Sequence, residues 1–229
     1  MNKKNLVSNL ALFIALLFHI AGIIGILFTP YKNWFIQNTP VNLLVMAALL
    51  IITQKQKNFY FFLFMVITFA VGFIVEYSGA NTGLIFGHYN YGNILGIKVL
   101  GVPVIIGINW FIVIYCAGIA TQLYENKMLK RISAKGLTIN AKVQKISFVI
   151  DASLLAVFFD WVLEPVAQKL GFWQWQGNKV PFYNYVCWLV ISALLLALFQ
   201  RLPFNKRNIF AVHLLMIQLL FFLLLRTFL

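Results

Sequence analysis

Seven apolar stretches separated by short polar connections constrain this chain more than any other feature of its sequence. They cover residues 6–28, 41–53, 59–77, 102–123, 146–164, 184–199 and 209–225. The hydrocarbon core of a bilayer is about 30 Å thick, and an α-helix needs roughly 20 apolar residues to cross it. The second stretch reaches that length only when it begins near Trp34. The sequence therefore predicts an all-α integral membrane protein of about seven transmembrane helices, with residues 1–229 forming a single bundle.

The composition agrees with a lipid environment, because 62% of the residues are hydrophobic and only 10% are charged. A soluble domain carries more polar surface than this. The formal net charge of +13 suggests nucleic acid at first sight, but the Lys and Arg residues lie almost wholly in short connections and at the ends of apolar stretches. That placement is typical of membrane topology signals. We therefore expect membrane lipid and no nucleic acid as a partner, and the sequence carries no signal of an oligomeric state.

The basic residues are distributed unevenly between the two sides of the predicted bundle. Thirteen lie on the side of the N-terminus, and five lie on the other side: Lys32, Lys98, Lys169, Lys179 and Arg226. Cytoplasmic loops carry the excess of Lys and Arg in membrane proteins. The count predicts a multi-pass protein of the bacterial inner membrane with its N-terminus inside, its C-terminus outside, and the connections 78–101 and 165–183 both outside.

These two outer connections share a pattern of glycine, aromatic and proline residues. The first contains Gly87-His88-Tyr89-Asn90-Tyr91, Val102-Pro103 and Trp110, and the second contains Gly171-Phe172-Trp173-Gln174-Trp175, Val180-Pro181 and Trp188. An acid, Glu76 or Asp160, precedes each first glycine by eleven residues. The pattern predicts two related units, 76–110 and 160–188, in a parallel repeat of helix hairpins. The alternative is chance, since these residue types are common in interfacial loops.

Three acidic residues, Glu76, Asp160 and Glu164, lie within or at the end of apolar stretches. An ionised carboxylate in hydrocarbon costs about 3 kcal/mol, so such a group is functional unless it is paired. Asp160 and Glu164 share one helix face because they are four residues apart, and Glu76 reaches the same depth. No basic residue of these stretches neutralises all three, so we expect at least one to be protonated at neutral pH as a general acid. The alternative is a hydrogen-bonded cluster that fixes helix packing.

Aromatic and polar residues surround the three acids in the sequence. The candidate ligand-binding residues are Tyr89, Tyr91, Trp110, Trp173, Trp175, Trp188, Asn81, Thr82, Asn109 and Asn184. The aromatic residues suit either an interfacial belt or a pocket whose π faces stabilise a cation, and the polar ones are able to hold a water molecule. The three histidines lie on separate elements without ligand spacing, so no metal site is predicted.

Seven predicted helices also suggest a retinal protein or a carrier. A retinal protein needs a Schiff-base lysine in its final helix, and residues 209–225 contain none. A proton-coupled carrier stays an alternative, because paired acids and a parallel repeat would serve it as well.

The two blocks around the acids resemble the membrane carotenoid biosynthesis family that includes the carotenoid 1,2-hydratases. The first block contains Glu76-Tyr77-Ser78-Gly79, Thr82-Gly83, Phe86-Gly87-x-Tyr89-x-Tyr91, Leu95-Gly96, Gly101-Val102-Pro103 and Trp110. The second contains Asp160, Glu164-Pro165-Val166-Ala167, Gly171-x-Trp173-x-Trp175, Val180-Pro181, Asn184 and Trp188. In the second block the family often has Asp-Pro and a Tyr-x-Gly-Val-Pro-like run, where this chain has Glu164-Pro165 and Asn178-Lys179-Val180-Pro181. This departure leaves the exact substrate open.

The resemblance implies hydration of the terminal C-1,2 double bond of an acyclic carotenoid end, as in γ-carotene, lycopene or bisanhydrobacterioruberin, without a cofactor. In that chemistry Asp160 or Glu76 protonates the alkene, aromatic faces shelter the cation, and Glu164 orients water or resets the proton. A substrate about as long as the bilayer is thick would enter laterally. The alternatives are a carotenoid or isoprenoid cyclase, in which ring closure quenches the same cation, and a carotenoid-binding scaffold.

Overall fold

The computed structural model describes residues 3–229, and it describes side chains from residue 6 onward. The helices are α1 (Lys3–Phe28), α2 (Lys32–Gln37), α3 (Thr39–Thr53), α4 (Phe59–Thr82), α5 (Ile105–Ser133), α6 (Ala141–Lys169), α7 (Phe182–Arg201) and α8 (Ile209–Phe228). Four short strands, β1 (Tyr89–Tyr91), β2 (Lys98–Val99), β3 (Val102–Pro103) and β4 (Trp173–Trp175), lie in the two connections that the sequence analysis singled out. The fold is an all-helical bundle.

Six helices of the described chain, all except α2 and α3, are long and apolar enough to cross a membrane. The prediction of an all-α, multi-pass membrane protein is therefore confirmed. The predicted second span is helix α3, which has 15 residues and a length of about 22 Å at 1.5 Å per residue. It does not continue back to Trp34, which lies in the separate helix α2. Asn38 separates the two helices, and Pro40, the second residue of α3, has no backbone N–H with which to continue the hydrogen bonding of α2.

Helix α3 nevertheless reaches from one end of the bundle to the other. At its start, Pro40 packs against Gly96 in the connection between α4 and α5. After its end, the Gln54 side chain donates a hydrogen bond of 2.7 Å to the carbonyl oxygen of Asn205 in the connection between α7 and α8. Seven helices thus traverse the bundle, six of them at full length.

Local sequence signals set several helix ends. The Asn58 side chain caps α4 by accepting a hydrogen bond from the backbone N–H of Phe61, and the Asn140 side chain accepts one from Lys142 at the start of α6. Such caps satisfy backbone donors that have no partner within the helix. Gly83 ends α4 in the left-handed conformation, with φ of +68°, which glycine adopts without steric cost. Helix α4 therefore extends past Tyr77, where the apolar pattern had placed its end.

Helix α5 occupies the centre of the bundle. It packs against α3, α4, α6, α7 and α8, and 78% of its most apolar segment is buried, against 28–44% for the other five long helices. Small residues permit the close approach of α4 and α5: a Cβ added to Gly72 would lie 2.4 Å from the ring of Trp110. Membrane helices commonly pack through such small residues. The close contact brings Trp110 next to the end of α4.

The two outer connections pair with each other. Strands β1 and β4 are antiparallel, with Tyr89 opposite Trp175 and Tyr91 opposite Trp173. Backbone hydrogen bonds continue the pairing on both sides, from Gly92 to Phe172 and from Gln176 to His88. Both connections therefore lie at the same end of the bundle, as the parallel repeat requires, while the repeat itself stays a prediction.

Candidate active site

Four aromatic side chains project from one face of the β1–β4 pair, which we call the aromatic ribbon. Tyr89 and Tyr91 on β1 are two residues apart, as are Trp173 and Trp175 on β4, and residues at this spacing share a face of a strand. The ring centroids of Tyr89 and Trp175 lie 4.8 Å apart, and those of Tyr91 and Trp173 lie 6.0 Å apart. The ribbon therefore aims two phenol and two indole donors in one direction.

Glu76, near the end of α4, receives both phenols of the ribbon. Its Oε2 accepts a hydrogen bond of 2.5 Å from the Tyr89 hydroxyl and one of 2.6 Å from the Tyr91 hydroxyl. Its Oε1 accepts a bond of 2.9 Å from the indole N–H of Trp110 on α5. Three donors thus hold both oxygens of this carboxyl group.

The two tyrosines act as permanent donors. Burial raises the pKa of Tyr89 and of Tyr91 well above the usual range, and the nearby Glu76 raises both pKa values further. A phenol whose pKa is raised keeps its proton at every physiological pH. Both phenols therefore stay available as donors to Glu76 across that range.

Glu164, on α6, receives both indoles of the ribbon. The N–H groups of Trp173 and Trp175 donate to the same oxygen, Oε2, at 2.9 and 2.7 Å. The second oxygen, Oε1, accepts neither of these bonds. One side of this carboxyl group is thus fixed by the ribbon, and the other is free for a further partner.

Asp160 lies one helical turn before Glu164 on the same face of α6 and is 2% exposed. Its Oδ2 accepts a hydrogen bond of 2.8 Å from the side-chain amide of Asn184 on α7. Among the described residues, Asp160 therefore has one protein donor, whereas Glu164 has two and Glu76 has three.

The three acids line one small cavity, which we call the acid cavity. Its volume is about 20 Å³, measured as the space open to the centre of a water molecule. The remaining lining residues are Phe86, Tyr89, Tyr91, Ile106, Asn109, Leu163, Trp173, Trp175, Asn184 and Trp188. A space of this size holds about one water molecule. The cavity therefore places polar groups and a water-sized volume beside aromatic faces.

Two tryptophans stack beside the acid cavity. The rings of Trp110 and Trp188 are nearly parallel, with centroids 3.9 Å apart and an interplanar angle of 6°. Phe86 contacts both, at centroid distances of 6.2 and 6.4 Å, and its backbone has a φ of +67°, which is uncommon for a residue other than glycine. Phe86 belongs to the first block that resembles the family, but it was not predicted as a site residue.

A second, larger cavity of about 380 Å³ adjoins the first, and we call it the apolar cavity. The two cavities share four lining residues: Ile106, Asn109, Leu163 and Trp173. Its wall otherwise comes mainly from α1, α2, α3 and α8, including Phe18, Phe35 and Phe221. The sequence does not predict the apolar cavity, because these helices carry no shared motif.

The rim of the apolar cavity reaches the outer surface of the bundle. Leu17, Phe18, Trp34 and Val41 line the cavity, and each is between 39% and 60% exposed. Because these apolar side chains are exposed on the surface of a membrane-spanning bundle, the rim suits contact with lipid.

Three of the predicted ligand-binding residues line neither cavity: Asn81, Thr82 and Trp110. Asn81 donates to the carbonyl oxygens of Tyr77 and Leu100, and Thr82 donates to that of Ser78. Both are exposed and stabilise the end of α4. Trp110 reaches the site through its bond to Glu76, and the other predicted residues lie around the acid cavity.

The chain was compared with known proteins. The model of the family described as "Carotenoid biosynthesis protein" matches residues 38–229, a range that contains all three acids and both strands of the aromatic ribbon. Helices α1 and α2 precede the matched range. No curated protein and no solved structure matches the chain.

Proposed function

This chain belongs to the carotenoid biosynthesis protein family, and on that premise we propose that it hydrates the terminal C-1,2 double bond of an acyclic carotenoid end. The observation that carries the proposal is the contact between the two cavities. A water-sized space lined by Glu76, Asp160 and Glu164 opens beside an apolar chamber with a lipid-facing rim. An alkene placed across the shared wall would meet an acid and a water molecule together.

Asp160 is the proton donor in this proposal. Hydrogen bonds donated to a carboxyl group favour its ionised form, and Glu76 and Glu164 receive more of them than Asp160 does. Like charges one helical turn apart on α6 also oppose ionisation of both groups. The proton therefore stays on Asp160, which transfers it to C-2 of the alkene and leaves a tertiary cation at C-1.

Aromatic faces shelter that cation. Trp173 lines both cavities, and its N–H bond to Glu164 fixes the position of its ring. The face of an indole ring attracts a cation by about 0.5–2 kcal/mol, more where water is excluded. The carboxyl oxygens of Glu76 and Glu164 add electrostatic stabilisation from two sides.

Glu164 orients the attacking water. Both indoles bond to its Oε2, so its Oε1 is available to accept a proton from a water molecule in the acid cavity. The water oxygen bonds to C-1, its proton passes to a carboxylate, and the product is a tertiary alcohol. The reaction needs no redox cofactor.

Cyclisation is the rival outcome of the same cation. A cyclase would quench the cation with a second double bond of the substrate and would need to keep water away. The polar, water-sized acid cavity beside three carboxyl groups favours hydration.

Expression in a host that accumulates lycopene or γ-carotene, followed by mass analysis of the pigment, tests the proposal. We expect a gain of one water molecule, and an Asp160→Asn variant expressed at the same level should leave the pigment unchanged. A product of unchanged mass but altered absorption would identify a cyclase. No conversion by the correctly inserted wild type would favour a carrier or a carotenoid-binding scaffold.

We also propose that the aromatic ribbon faces the outside of a bacterial inner membrane, with the N-terminus inside and the C-terminus outside. The support is the thirteen-to-five distribution of Lys and Arg. A Lys179→Cys variant provides the test, because Lys179 is exposed whereas the native Cys116 and Cys187 are buried. An impermeant thiol reagent should label it in intact cells, and labelling only after permeabilisation would reverse the orientation.

A further inference from the structure

Three polar side chains of the apolar cavity have no part in the chemistry proposed above. They are His19 on α1, Asn42 on α3 and Gln218 on α8. His19 and Gln218 are each 4% exposed, and the side-chain oxygens of Asn42 and Gln218 are buried without a hydrogen-bond partner among the described residues. Buried polar atoms of native proteins are normally satisfied by protein, ordered water or a ligand. A hydrocarbon ligand satisfies none of them.

The geometry of His19 adds another acceptor to this wall. Its Nδ1 lies 2.7 Å from the carbonyl oxygen of Ala15, so in the neutral ring Nδ1 carries the hydrogen and Nε2 is an acceptor. The ring of Phe221 packs edge-on against it, with centroids 5.3 Å apart. The wall thus presents acceptor atoms that need O–H donors, and water supplies two of them per molecule.

Asn109 connects this wall with the acids. It lines both cavities and is partly buried. An amide both donates and accepts. A water molecule that moves from the apolar cavity to the acid cavity can therefore form a hydrogen bond with the Asn109 side chain at the boundary.

We propose that His19, Asn42 and Gln218 hold a reserve of water along one wall of the apolar cavity, and that Asn109 passes this water to the acid cavity. The inference rests on the proposed hydration, which consumes one water molecule per turnover in a region where lipid excludes water. The polyene occupies the apolar walls, and the water follows the polar one. The reserve lets the site refill while a substrate blocks its lipid-facing rim.

The fate of the cation reports on the water supply. Proton transfer breaks an O–H bond of the carboxyl group and forms a C–H bond at C-2. The cation then either gains a water oxygen at C-1 and releases a proton to the carboxylate, or returns a proton from carbon to the carboxylate and becomes an alkene again. In D₂O the first route gives alcohol, whereas the second leaves deuterium in the recovered substrate.

Membranes containing the full-length protein, with lycopene as the probe in D₂O, provide the test. For Gln218→Met we expect the ratio of hydration to deuterium exchange to fall about tenfold, the effect of one lost hydrogen bond to water, while the total number of protonation events stays within about twofold. Asn42→Leu should shift the ratio in the same direction and serves if the first variant does not fold. Thr68→Val is the matched control, because it removes a buried, unpartnered hydroxyl that lines neither cavity.

The outcomes distinguish failure of the water reserve from failure of the proposed hydration. A lowered ratio in the cavity variants with an unchanged ratio in Thr68→Val supports the water reserve. If the ratio of hydration to exchange is unchanged in both cavity variants, whether or not the two rates fall together, the water reserve is overturned. The proposed hydration then stays intact. A wild type that neither hydrates lycopene or γ-carotene nor exchanges deuterium overturns the proposed function as well.

Discussion

Two buried polar clusters at opposite ends of the bundle differ in how many of their polar atoms already have a hydrogen-bond partner. At the end away from the ribbon, Gln54 accepts a bond of 2.7 Å from the Tyr115 hydroxyl and donates to Asn205, while Asn208 donates to Leu50 and Thr53. We call these residues the inner polar cluster. Its members are neutral, and they use one another and the backbone as partners.

The acid site at the ribbon end is organised differently. It gathers three carboxyl groups around a cavity, and one oxygen of Asp160 and one of Glu164 are not engaged by the donors that hold these groups. Burying a charged group costs more than burying an amide, so a cluster whose only purpose is packing is better built from amides and hydroxyls. The comparison separates two kinds of cluster. In a structural cluster the polar atoms bond to one another and to the backbone, whereas in a reactive cluster some polar atoms stay available to a substrate.

The largest effect should come from single amide variants of the acids. Asp160→Asn removes the transferable proton, and we expect hydration to fall by at least about 100-fold, a usual contribution of general acid catalysis. Glu76→Gln and Glu164→Gln should reduce it less. The measurement is the rate of alcohol formation per folded protein in membranes, and full activity of all three variants would show that the acid site is wrongly identified.

A smaller effect should follow from Trp173→Phe. The variant keeps an aromatic face next to the cation but loses the N–H bond to Glu164. We expect hydration to fall about 10- to 100-fold, because one charge-assisted hydrogen bond contributes about 1.5–3 kcal/mol. Initial rates over a range of lycopene concentrations should place the loss in kcat. The matched variant Trp161→Phe changes an exposed tryptophan of the same helix as Glu164 and should keep the wild-type rate.

The inner polar cluster should respond in stability rather than in activity. Tyr115→Phe leaves the Gln54 side-chain oxygen without its donor, and a buried group left unsatisfied costs about 1–3 kcal/mol. Thermal unfolding in detergent measures this loss. The activity of the protein that remains folded should equal that of the wild type, and a specific loss of turnover would mean that the two clusters are coupled.

The smallest effect should come from Asn81→Ala and Thr82→Ala. Both side chains are exposed and bond to nearby carbonyl oxygens at the end of α4, so we expect changes of hydration rate below about twofold, as for most surface substitutions. A large loss in either variant would place the substrate near this loop.

The positions of these residues show what the sequence can predict about the site. Spacing along one helix places Asp160 and Glu164 on a common face, and the repeated aromatic pattern predicts that two distant loops share a function. Asn81 and Thr82 follow Glu76 by five and six residues, and at about 100° per residue they leave its face of α4. Proximity in sequence was therefore misleading for them.

Other features depend on tertiary packing alone. The apolar cavity combines residues from the first, middle and last helices, and no local pattern in His19 or Gln218 indicates a common wall. The seven traversing helices follow from hydropathy. The separation of α2 from α3 follows from Pro40, and the hydropathy pattern did not show how this proline shortens the second span. Sequence periodicity reports the face of one helix, and contacts between helices decide which faces meet.

The packing of α1 against α8 has a consequence for biogenesis. The first helix leaves the ribosome long before the last, and the wall that carries His19 and Gln218 is completed only when both are in the membrane. A nascent chain that stops before α8 contains both strands of the aromatic ribbon and all three acids, but it lacks Gln218, Phe221 and Phe222 of the apolar cavity. The lining of that cavity is therefore complete only after the last helix has been synthesised.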